Sequence, residues 1–435
     1  MARAFRVAYL GGSAFAASVA HGLAAVLPAA GFEAELALVD EDGGAAGAAA
    51  YVDLLARARG VALRPAVLPR AAALDGARLV LCAPTARQPA LALGQLRQTC
   101  QAVGWVPPTD GPGAVAAAVA IGPFYLALAC EVTRRCPRAL LLTALGPADV
   151  LAGAARRRFG IAGLRAVGLS VEVEALRATL AHLLGTPEDE ILLMHGGVGG
   201  VGWVVRFAVG GRDGYGEMGD RLRALAADPG LRPSERALPA LYALTGMIRS
   251  SPSRVWPFQL EAEPAPEPDS TPPAETAFEA ALSAALAGGA PLAEAPPAAE
   301  AHASPLLQPG AGRSVGRLVR AMATGEPAVV SLQVPYAGEV LGWSPEVTVE
   351  VPAVAAGDQI EPMAVGPLPA GVDGLPRLLG QQRALAADYL AHPDPGLLRR
   401  AFAVTPEWGR VDQMHRLAEA LHAEFGAALE AASRA

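Results

Sequence analysis

The chain has 435 residues, with 35 basic and 42 acidic side chains and a formal net charge of −7. Every basic residue is Arg, because the sequence contains no Lys, and it contains no Asn either. The missing Lys excludes a Schiff-base amine and a phosphate-loop Lys, and the missing Asn excludes N-glycosylation and Asn ligands. The acidic balance, with Arg scattered among Asp and Glu, argues against nucleic-acid binding.

The length predicts two domains, or one large α/β domain with an appended lobe, and we expect the protein to lie in the cytoplasm. The first residues show no signal-peptide pattern, and charged residues are expected to interrupt every candidate membrane span, so we predict no membrane contact. The four cysteines lack C-x-x-C spacing and are expected to be free thiols: Cys82, Cys100, Cys130 and Cys136.

Residues 1–169 predict an α/β fold with a Rossmann-type, doubly wound parallel sheet, because compact apolar runs alternate with helix-like stretches. The predicted strands are Phe5 to Leu10, Ala34 to Val39, Ala77 to Ala83, Ala139 to Leu145 and Leu164 to Leu169. The predicted helices are Ser13 to Val26, Tyr51 to Arg59 and Val115 to Cys136.

Residues 170–260 and 313–435 predict a C-terminal α/β domain. Its predicted helices are Glu172 to Leu184, Val315 to Ala323, Leu375 to Ala391 and Val411 to Ala432, and its predicted strands are Glu190 to Met194 and Val201 to Val209. The intervening residues 261–312 are rich in Pro, Ala and Glu and carry few large apolar side chains. They are predicted to be a disordered insertion.

The first strand, its glycine turn and the second strand form a candidate dinucleotide site. Gly11, Gly12 and Ser13 connect the first strand to a helix, where backbone N–H groups can bind a pyrophosphate. Asp40 ends the second strand, where a carboxylate can accept from ribose hydroxyls. Because at least one glycine of the G-x-G-x-x-G pattern is missing, the alternative for Gly11 and Gly12 is a tight turn with no ligand. The alternative for Asp40 is a solvated loop carboxylate.

Four segments, in order, resemble glycoside hydrolase family 4, the NAD-dependent glycosidases related in fold to lactate and malate dehydrogenases. The segments, which span almost the whole chain outside the insertion, are Asp110-Gly111-Pro112-Gly113 with Pro123-Phe124-Tyr125-Leu126, Cys136-Pro137 through Gly146-Pro147, Val167-Gly168-Leu169-Ser170 with Gly197 through Trp203, and Val347 through Pro352 with Ile360-Glu361-Pro362.

The resemblance implies a Rossmann domain followed by a lactate/malate dehydrogenase-like lobe, and NAD as cofactor. It also implies a divalent metal with Cys and His ligands, a sugar or sugar-phosphate substrate, and a homo-oligomer. In this family NAD oxidises a sugar hydroxyl, the metal polarises the resulting ketone, and the glycosidic bond breaks by elimination.

The sequence departs from the family at the positions that carry this chemistry. The ligand Cys falls on Ser170, and the ligand His falls on Gly200. Val171 replaces the His or Asp that follows the Cys. The remaining departures are two family Asn positions that fall on Gly146 and Gly199, and two family Arg positions that fall on Ala117 and Ala120. The expected metal ligands are therefore not retained, whereas residues that shape turns and packing are.

Three nearby residues have both a functional and a structural interpretation. Tyr242 is the candidate for the family's tyrosine base, with a core aromatic as the alternative. His195 is a candidate replacement ligand, with a structural histidine as the favoured interpretation. Arg249 and Arg254 lie where the family places substrate contacts, with solvated loop arginines as the alternative.

The sequence therefore predicts a glycoside hydrolase family 4 homologue that lacks the standard activity because its metal ligands are absent. One alternative is a non-catalytic protein, regulatory or scaffolding, that binds a dinucleotide or a sugar phosphate. Another is a dehydrogenase that uses NAD without a metal.

Overall fold

The computed structural model describes residues 4–40, 45–83, 87–105, 107, 111–161, 165–231, 233–251, 309–340, 342–404 and 410–432. Within them, twelve strands form one sheet in the order β3-β2-β1-β4-β5-β6-β10-β11-β7-β8-β9, with β12 paired to β11. The strands are β1 Phe5–Leu10, β2 Ala34–Val39, β3 Leu63–Leu68, β4 Leu79–Cys82, β5 Leu140–Thr143, β6 Ala166–Leu169, β7 Ile191–Val198, β8 Val201–Val209, β9 Arg212–Asp213, β10 Ala328–Pro335, β11 Thr348–Ala356 and β12 Gln359–Pro362.

The helices flank this sheet. They are α1 Ser13–Ala30, α2 Ala45–Arg59, α3 Arg70–Leu74, α4 Arg87–Val103, α5 Pro112–Arg135, α6 Ala148–Phe159, α7 Glu172–Leu184, α8 Gly214–Leu225, α9 Pro233–Thr245, α10 Pro309–Thr324, α11 Gly374–Ala391, α12 Pro395–Ala403 and α13 Val411–Ala431.

The first six strands are parallel and have the 3-2-1-4-5-6 order of a Rossmann sheet. This confirms the predicted α/β fold class. The C-terminal strands continue the same sheet in antiparallel pairing, since Leu332 pairs with Leu169 and Gln333 with Gly168. The proposed division into domains after residue 169 stays a prediction.

Several elements differ from the sequence predictions. The edge strand β3 and the short helix α3 were not predicted, because Arg64 and Pro65 interrupt the apolar run of β3. An edge strand tolerates Pro, since one side of it forms no ladder hydrogen bonds. Helix α4 and strands β10 and β11 were also missed.

The boundary of the predicted insertion also changes. Residues 309–312, which were assigned to the insertion, form the first turn of α10, and this helix packs against α1. The close contact between Gly312 and Ser18 explains why this turn is ordered against the body of the protein. Residues 261–308 lie outside the described residues, so the prediction for them stays untested.

Two helices, α1 and α5, are long and apolar enough to cross a membrane by length and composition. The prediction that charged residues interrupt every candidate span is therefore wrong, since α1 contains none. More than half of each apolar window is buried inside the protein. Burial in the core accounts for the composition of both helices, because a helix that is apolar on all sides is typical of a protein interior as well as of a membrane.

Candidate functional site

The glycine turn after β1 lies where the order of the parallel sheet reverses, between β1 and β4. A Cβ on Gly11 would lie 2.6 Å from the Cβ of Ala83 and 2.8 Å from the hydroxyl oxygen of Tyr9. That hydroxyl donates to the carbonyl of Gly12 at 2.6 Å, so the side chain of Tyr9 holds the turn in place. Only glycine fits at position 11, so the backbone is kept close to the edge at which Rossmann folds bind dinucleotides.

The start of α1 suits an anion. Its N-cap is Gly12, which has no side chain to cap the helix, and Ser13 is the first helical residue. The first N–H groups of a helix point away from it, which makes such a terminus a binding site for phosphate. Asp40 follows β2 and is exposed at the same edge. The residues therefore fit a dinucleotide, and their assignment to NAD stays a prediction.

The two positions that correspond to the family's metal ligands come together around Glu350. This side chain is fully buried, and its Oε2 accepts from the backbone N–H of Gly200 at 3.0 Å and from Nε2 of Gln333 at 3.1 Å. Ser170, which is also buried, directly follows β6 and lowers the pKa of Glu350, although its Oγ forms no hydrogen bond among the described residues. The backbone amide of Gly200 thus donates to this carboxyl group at the position where the resemblance implies a His ligand.

Burial raises the pKa of Glu350, and hydrogen bonds from Gln333 and Gly200 oppose that rise. The neighbouring Glu172 raises the pKa further, because two carboxylates repel each other in a region of low dielectric constant. Glu172 begins α7, is 6 % exposed and accepts from Oγ of Ser251 at 2.7 Å. The centre of the site therefore holds two buried carboxyl groups, each of which accepts hydrogen bonds from its own neighbours.

Among the departures from the family, the two turn glycines have a local explanation. Gly199 and Gly200 form the two-residue turn between β7 and β8, with φ of +42° and +80°. Such turns require positive φ at both residues, which glycine adopts without strain. Gly146 precedes Pro147 through a cis peptide bond, and a Cβ on it would meet no neighbour. Ala117 and Ala120 lie on α5 and bring no charge to the site.

A divalent metal does not fit these residues. Within the described residues, no three His, Cys, Asp or Glu side chains are grouped to hold a metal ion. His195 lies nearby on β7, but it is completely buried and neither ring nitrogen has a hydrogen-bond partner among the described residues. Burial, with help from Arg177, lowers the pKa of His195 to about 3, so its ring is neutral at physiological pH. The favoured interpretation of His195 as a structural residue stays a prediction.

Tyr242 lies on α9 and belongs to a different cluster, at the contact of α9 with α8. Its ring stacks on Tyr215 with centroids 6.2 Å apart, and the guanidinium of Arg223 lies 5.5 Å from the ring centroid. Its hydroxyl oxygen would be 2.5 Å from a Cβ on Gly219. The structure describes no contact between Tyr242 and Ser170 or Glu350. These are the contacts of a packed aromatic side chain, and the catalytic assignment of Tyr242 stays a prediction.

Arg249 is fully buried, so the interpretation as a solvated loop arginine is wrong for it. Its backbone pairs with Trp203, and its guanidinium lies 5.5 Å from the centroid of that indole. The indole Nε1 donates to the carbonyl of Val372 at 2.7 Å. Arg249 is thus part of the packing around the retained Trp203. Arg254 lies outside the described residues.

Sequence reasoning missed four residues of this site. Two of them, Glu172 and Gln333, could have been found in the sequence, since a carboxylate begins a helix two positions after Ser170 and a Gln interrupts the apolar run of β10. Gln333 also explains why Gly168 is retained, because a Cβ there would lie 2.5 Å from Oε1 of Gln333. The other two, Asp149 and Arg383, form a buried ion pair with Nη1 and Oδ2 2.7 Å apart.

The fold and the site together define a Rossmann-type α/β protein with a dehydrogenase-like C-terminal lobe. The lactate dehydrogenase of Cryptosporidium parvum superposes with a TM-score of 0.55 at 14 % identity, and the match covers 91 % of this chain and 100 % of that one. No curated protein matches the sequence.

Two glycosidase structures are more similar. The 6-phospho-beta glucosidase from Thermotoga maritima, solved with NAD and glucose-6-phosphate, has a TM-score of 0.74 at 14 % identity over 97 % of this chain and 99 % of that one. The 6-phospho-alpha-glucosidase from gut microorganisms, in complex with NAD and Mn²⁺, has a TM-score of 0.75 at 15 % identity over 97 % and 98 %.

Residues 201–407 match the family model described as the family 4 glycosyl hydrolase C-terminal domain. This match to the C-terminal part of the chain supports the resemblance to glycoside hydrolase family 4 found in the sequence.

Proposed function

We propose that this chain is a family 4 homologue that binds NAD at the glycine turn and does not perform the family's metal-dependent glycoside hydrolysis. The observation that carries the proposal is the environment of Glu350. The backbone N–H of Gly200 donates to this carboxyl group at the position where the family has its His ligand. Neither Gly200 nor Ser170 supplies the imidazole or thiolate that the family's metal site needs.

The NAD part of the proposal is supported by Gly11, by the start of α1 directly after the glycine turn and by Asp40. NAD, when bound, supplies a hydride acceptor. The chain's own residues would bind the pyrophosphate at the start of α1 and the ribose hydroxyls at Asp40. The related 6-phospho-glucosidases were solved with NAD, and this is consistent with the same cofactor here.

Two experiments test the proposal. Thermal denaturation with and without millimolar NAD should show stabilisation, because a ligand that binds only the folded state raises Tm. Incubation with NAD, Mn²⁺, a reductant and nitrophenyl 6-phosphoglycosides should show no turnover. Turnover that a chelator abolishes would refute the loss of metal-dependent hydrolysis, and absence of any NAD effect would refute the cofactor assignment.

The second candidate is a non-catalytic regulatory or scaffolding protein of the cytoplasm that binds a sugar phosphate. The 6-phospho-beta glucosidase of Thermotoga maritima was solved with glucose-6-phosphate, which makes this ligand the first to test. Glucose-6-phosphate would raise Tm on its own or in the presence of NAD. Light scattering during size-exclusion chromatography tests the expected homo-oligomer.

A further inference from the structure

The ion pair between Asp149 and Arg383 joins two distant parts of the chain at the site. Asp149 lies in the first turn of α6, directly after the Pro147 turn, and Arg383 lies on α11. Their side chains are 1 % and 4 % exposed, and the distance from Nη1 to Oδ2 is 2.7 Å. A buried ion pair of this kind is held in place strongly, because removal of one partner leaves an uncompensated charge.

The guanidinium occupies the space in front of the β7–β8 turn. A Cβ on Gly199 would lie 1.8 Å from Nη1 of Arg383, 2.9 Å from its Cζ and 3.0 Å from Oδ2 of Asp149. The ion pair therefore fills the volume into which any side chain at position 199 would extend. Gly199 is one of the family's Asn positions, and the next residue, Gly200, is the family's His ligand position.

The guanidinium also supplies positive charge where buried acidic groups are concentrated. Asp149 borders Gly199, Glu350 accepts from the N–H of Gly200, and Glu172 lies close enough to raise the pKa of Glu350. Buried carboxylates need a compensating cation, and a guanidinium stays charged at every physiological pH. A divalent ion at this turn would collide with the guanidinium of Arg383 and would be repelled by its positive charge.

We propose that Arg383 is the resident cation of this site: its guanidinium takes the place that a divalent metal has in the family, so the chain takes up no divalent metal there. This inference rests on the proposed loss of metal-dependent hydrolysis and adds a cause to it. Ser170 and Gly200 supply no thiolate or imidazole ligand. The guanidinium of Arg383 already fills the neighbouring space and supplies the positive charge there.

The test measures metal binding directly, in full-length protein. Wild type, titrated with Mn²⁺ and followed by electron paramagnetic resonance and thermal denaturation, should bind no ion at this site and show no change in Tm. Arg383→Met leaves Asp149 without its partner beside Glu350 and Glu172, and carboxylate oxygens bind Mn²⁺. We expect this variant to be less stable and to regain about 2 °C or more of Tm in millimolar Mn²⁺.

Two controls identify the origin of that effect. Arg377→Met removes an arginine from the same helix that pairs with Asp373 at the surface, and it should gain no response to Mn²⁺. The double variant Asp149→Asn/Arg383→Met removes both charges, so it should lose most of the Mn²⁺ response. An equal response in the double variant would place the metal elsewhere and overturn the proposal.

A double-mutant cycle tests the filled space without metal. Gly199→Ala should be strongly destabilising in wild type, because its methyl group collides with the guanidinium. It should be less destabilising when Arg383 is Met, since the backbone strain at Gly199 is common to both and cancels in the cycle. Should Arg383→Met fail to fold, Arg383→Lys replaces it, as a shorter side chain that keeps the charge.

If Gly199→Ala and Arg383→Met lower the free energy of unfolding additively, the proposal is overturned. Mn²⁺ binding by the wild type that a chelator reverses would overturn it too. Absence of a Mn²⁺ response in Arg383→Met would also overturn it, while the proposed loss of hydrolysis would stand. The turnover assay decides that loss independently, so the two failures are distinguishable.

Discussion

Gly22 of α1 and Gly312 of α10 pack backbone against backbone. A Cβ on Gly22 would lie 1.8 Å from the carbonyl oxygen of Gly312, and a Cβ on Gly312 would lie 1.9 Å from the carbonyl oxygen of Ser18. The two helices therefore approach more closely than any pair with side chains at these positions. This contact fixes the helix after the Pro-rich segment onto the helix that starts at the glycine turn.

Gly22→Ala should destabilise the protein by about 1–3 kcal/mol, because the methyl group forces the two helices apart. The free energy of unfolding in urea measures the loss. Gly94→Ala is the matched control, since Gly94 lies within α4 and a Cβ on it would meet nothing within 4 Å. It should gain about 0.5–1 kcal/mol from helix propensity. Similar effects of the two substitutions would show that the close approach does not matter.

Glu350 should make the protein less stable as the pH rises. Its pKa is higher in the folded than in the unfolded state, so the folded state binds more protons above the usual glutamate pKa. The stabilising contribution is complete at low pH and is lost as the pH rises through the folded-state pKa, with a limiting slope of about 1.4 kcal/mol per pH unit. Glu350→Gln should remove this slope, which urea unfolding of both proteins between pH 5 and 8 can measure. Parallel curves would contradict the prediction.

His195 should have the opposite effect on the acid side. Its pKa is lowered from the ordinary value of 6.5 to about 3, so the unfolded state binds more protons between these values. Stability is complete above pH 6.5 and falls as the pH drops toward 3, by at most about 1.4 kcal/mol per pH unit. His195→Leu should reduce the number of protons taken up on unfolding in acid by about one. Unfolding curves measured from pH 4 to 8 give this number. An unchanged proton uptake on unfolding would argue that the imidazole is charged or exposed.

Asp40→Ala should weaken NAD binding by about tenfold, the usual effect of losing a hydrogen bond to a charged group. Isothermal titration calorimetry gives the Kd. Glu33→Gln is the control, since Glu33 is an exposed carboxylate just before β2, at the opposite end of the strand. An equal loss in both variants would indicate a general charge effect and remove Asp40 from the site.

Tyr242→Phe should leave the NAD-induced Tm shift unchanged and alter stability little, because the ring contacts with Tyr215 and Arg223 remain. Tyr242→Ala should cost about 3–5 kcal/mol, the range for deleting a buried aromatic side chain. The free energies of unfolding of both variants in urea measure these two effects on stability. If the protein turns over a phosphoglycoside and Tyr242→Phe abolishes that turnover, the tyrosine is the base that the family resemblance implies.

The parallel half of the sheet was predictable because its signals are local. The apolar runs of β1 and β2 have the predicted bounds, and Gly11 follows β1 as the Rossmann pattern requires. β3 escaped prediction because an edge strand is only partly buried and tolerates Arg64 and Pro65. The C-terminal strands β10 and β11 were missed as elements, although residues of β11 contributed to the family resemblance.

The sequence alone determined the fold class and the resemblance to glycoside hydrolase family 4, because turn residues and strand periodicity are read position by position. Only the tertiary structure decided which side chains lie around the turn at Gly199 and Gly200. Asp149 and Arg383 are 234 positions apart, and their ion pair depends on the packing of α6 against α11 around Gly199. Contacts of this kind leave no pattern in one sequence, since they depend on side-chain volume and charge in three dimensions.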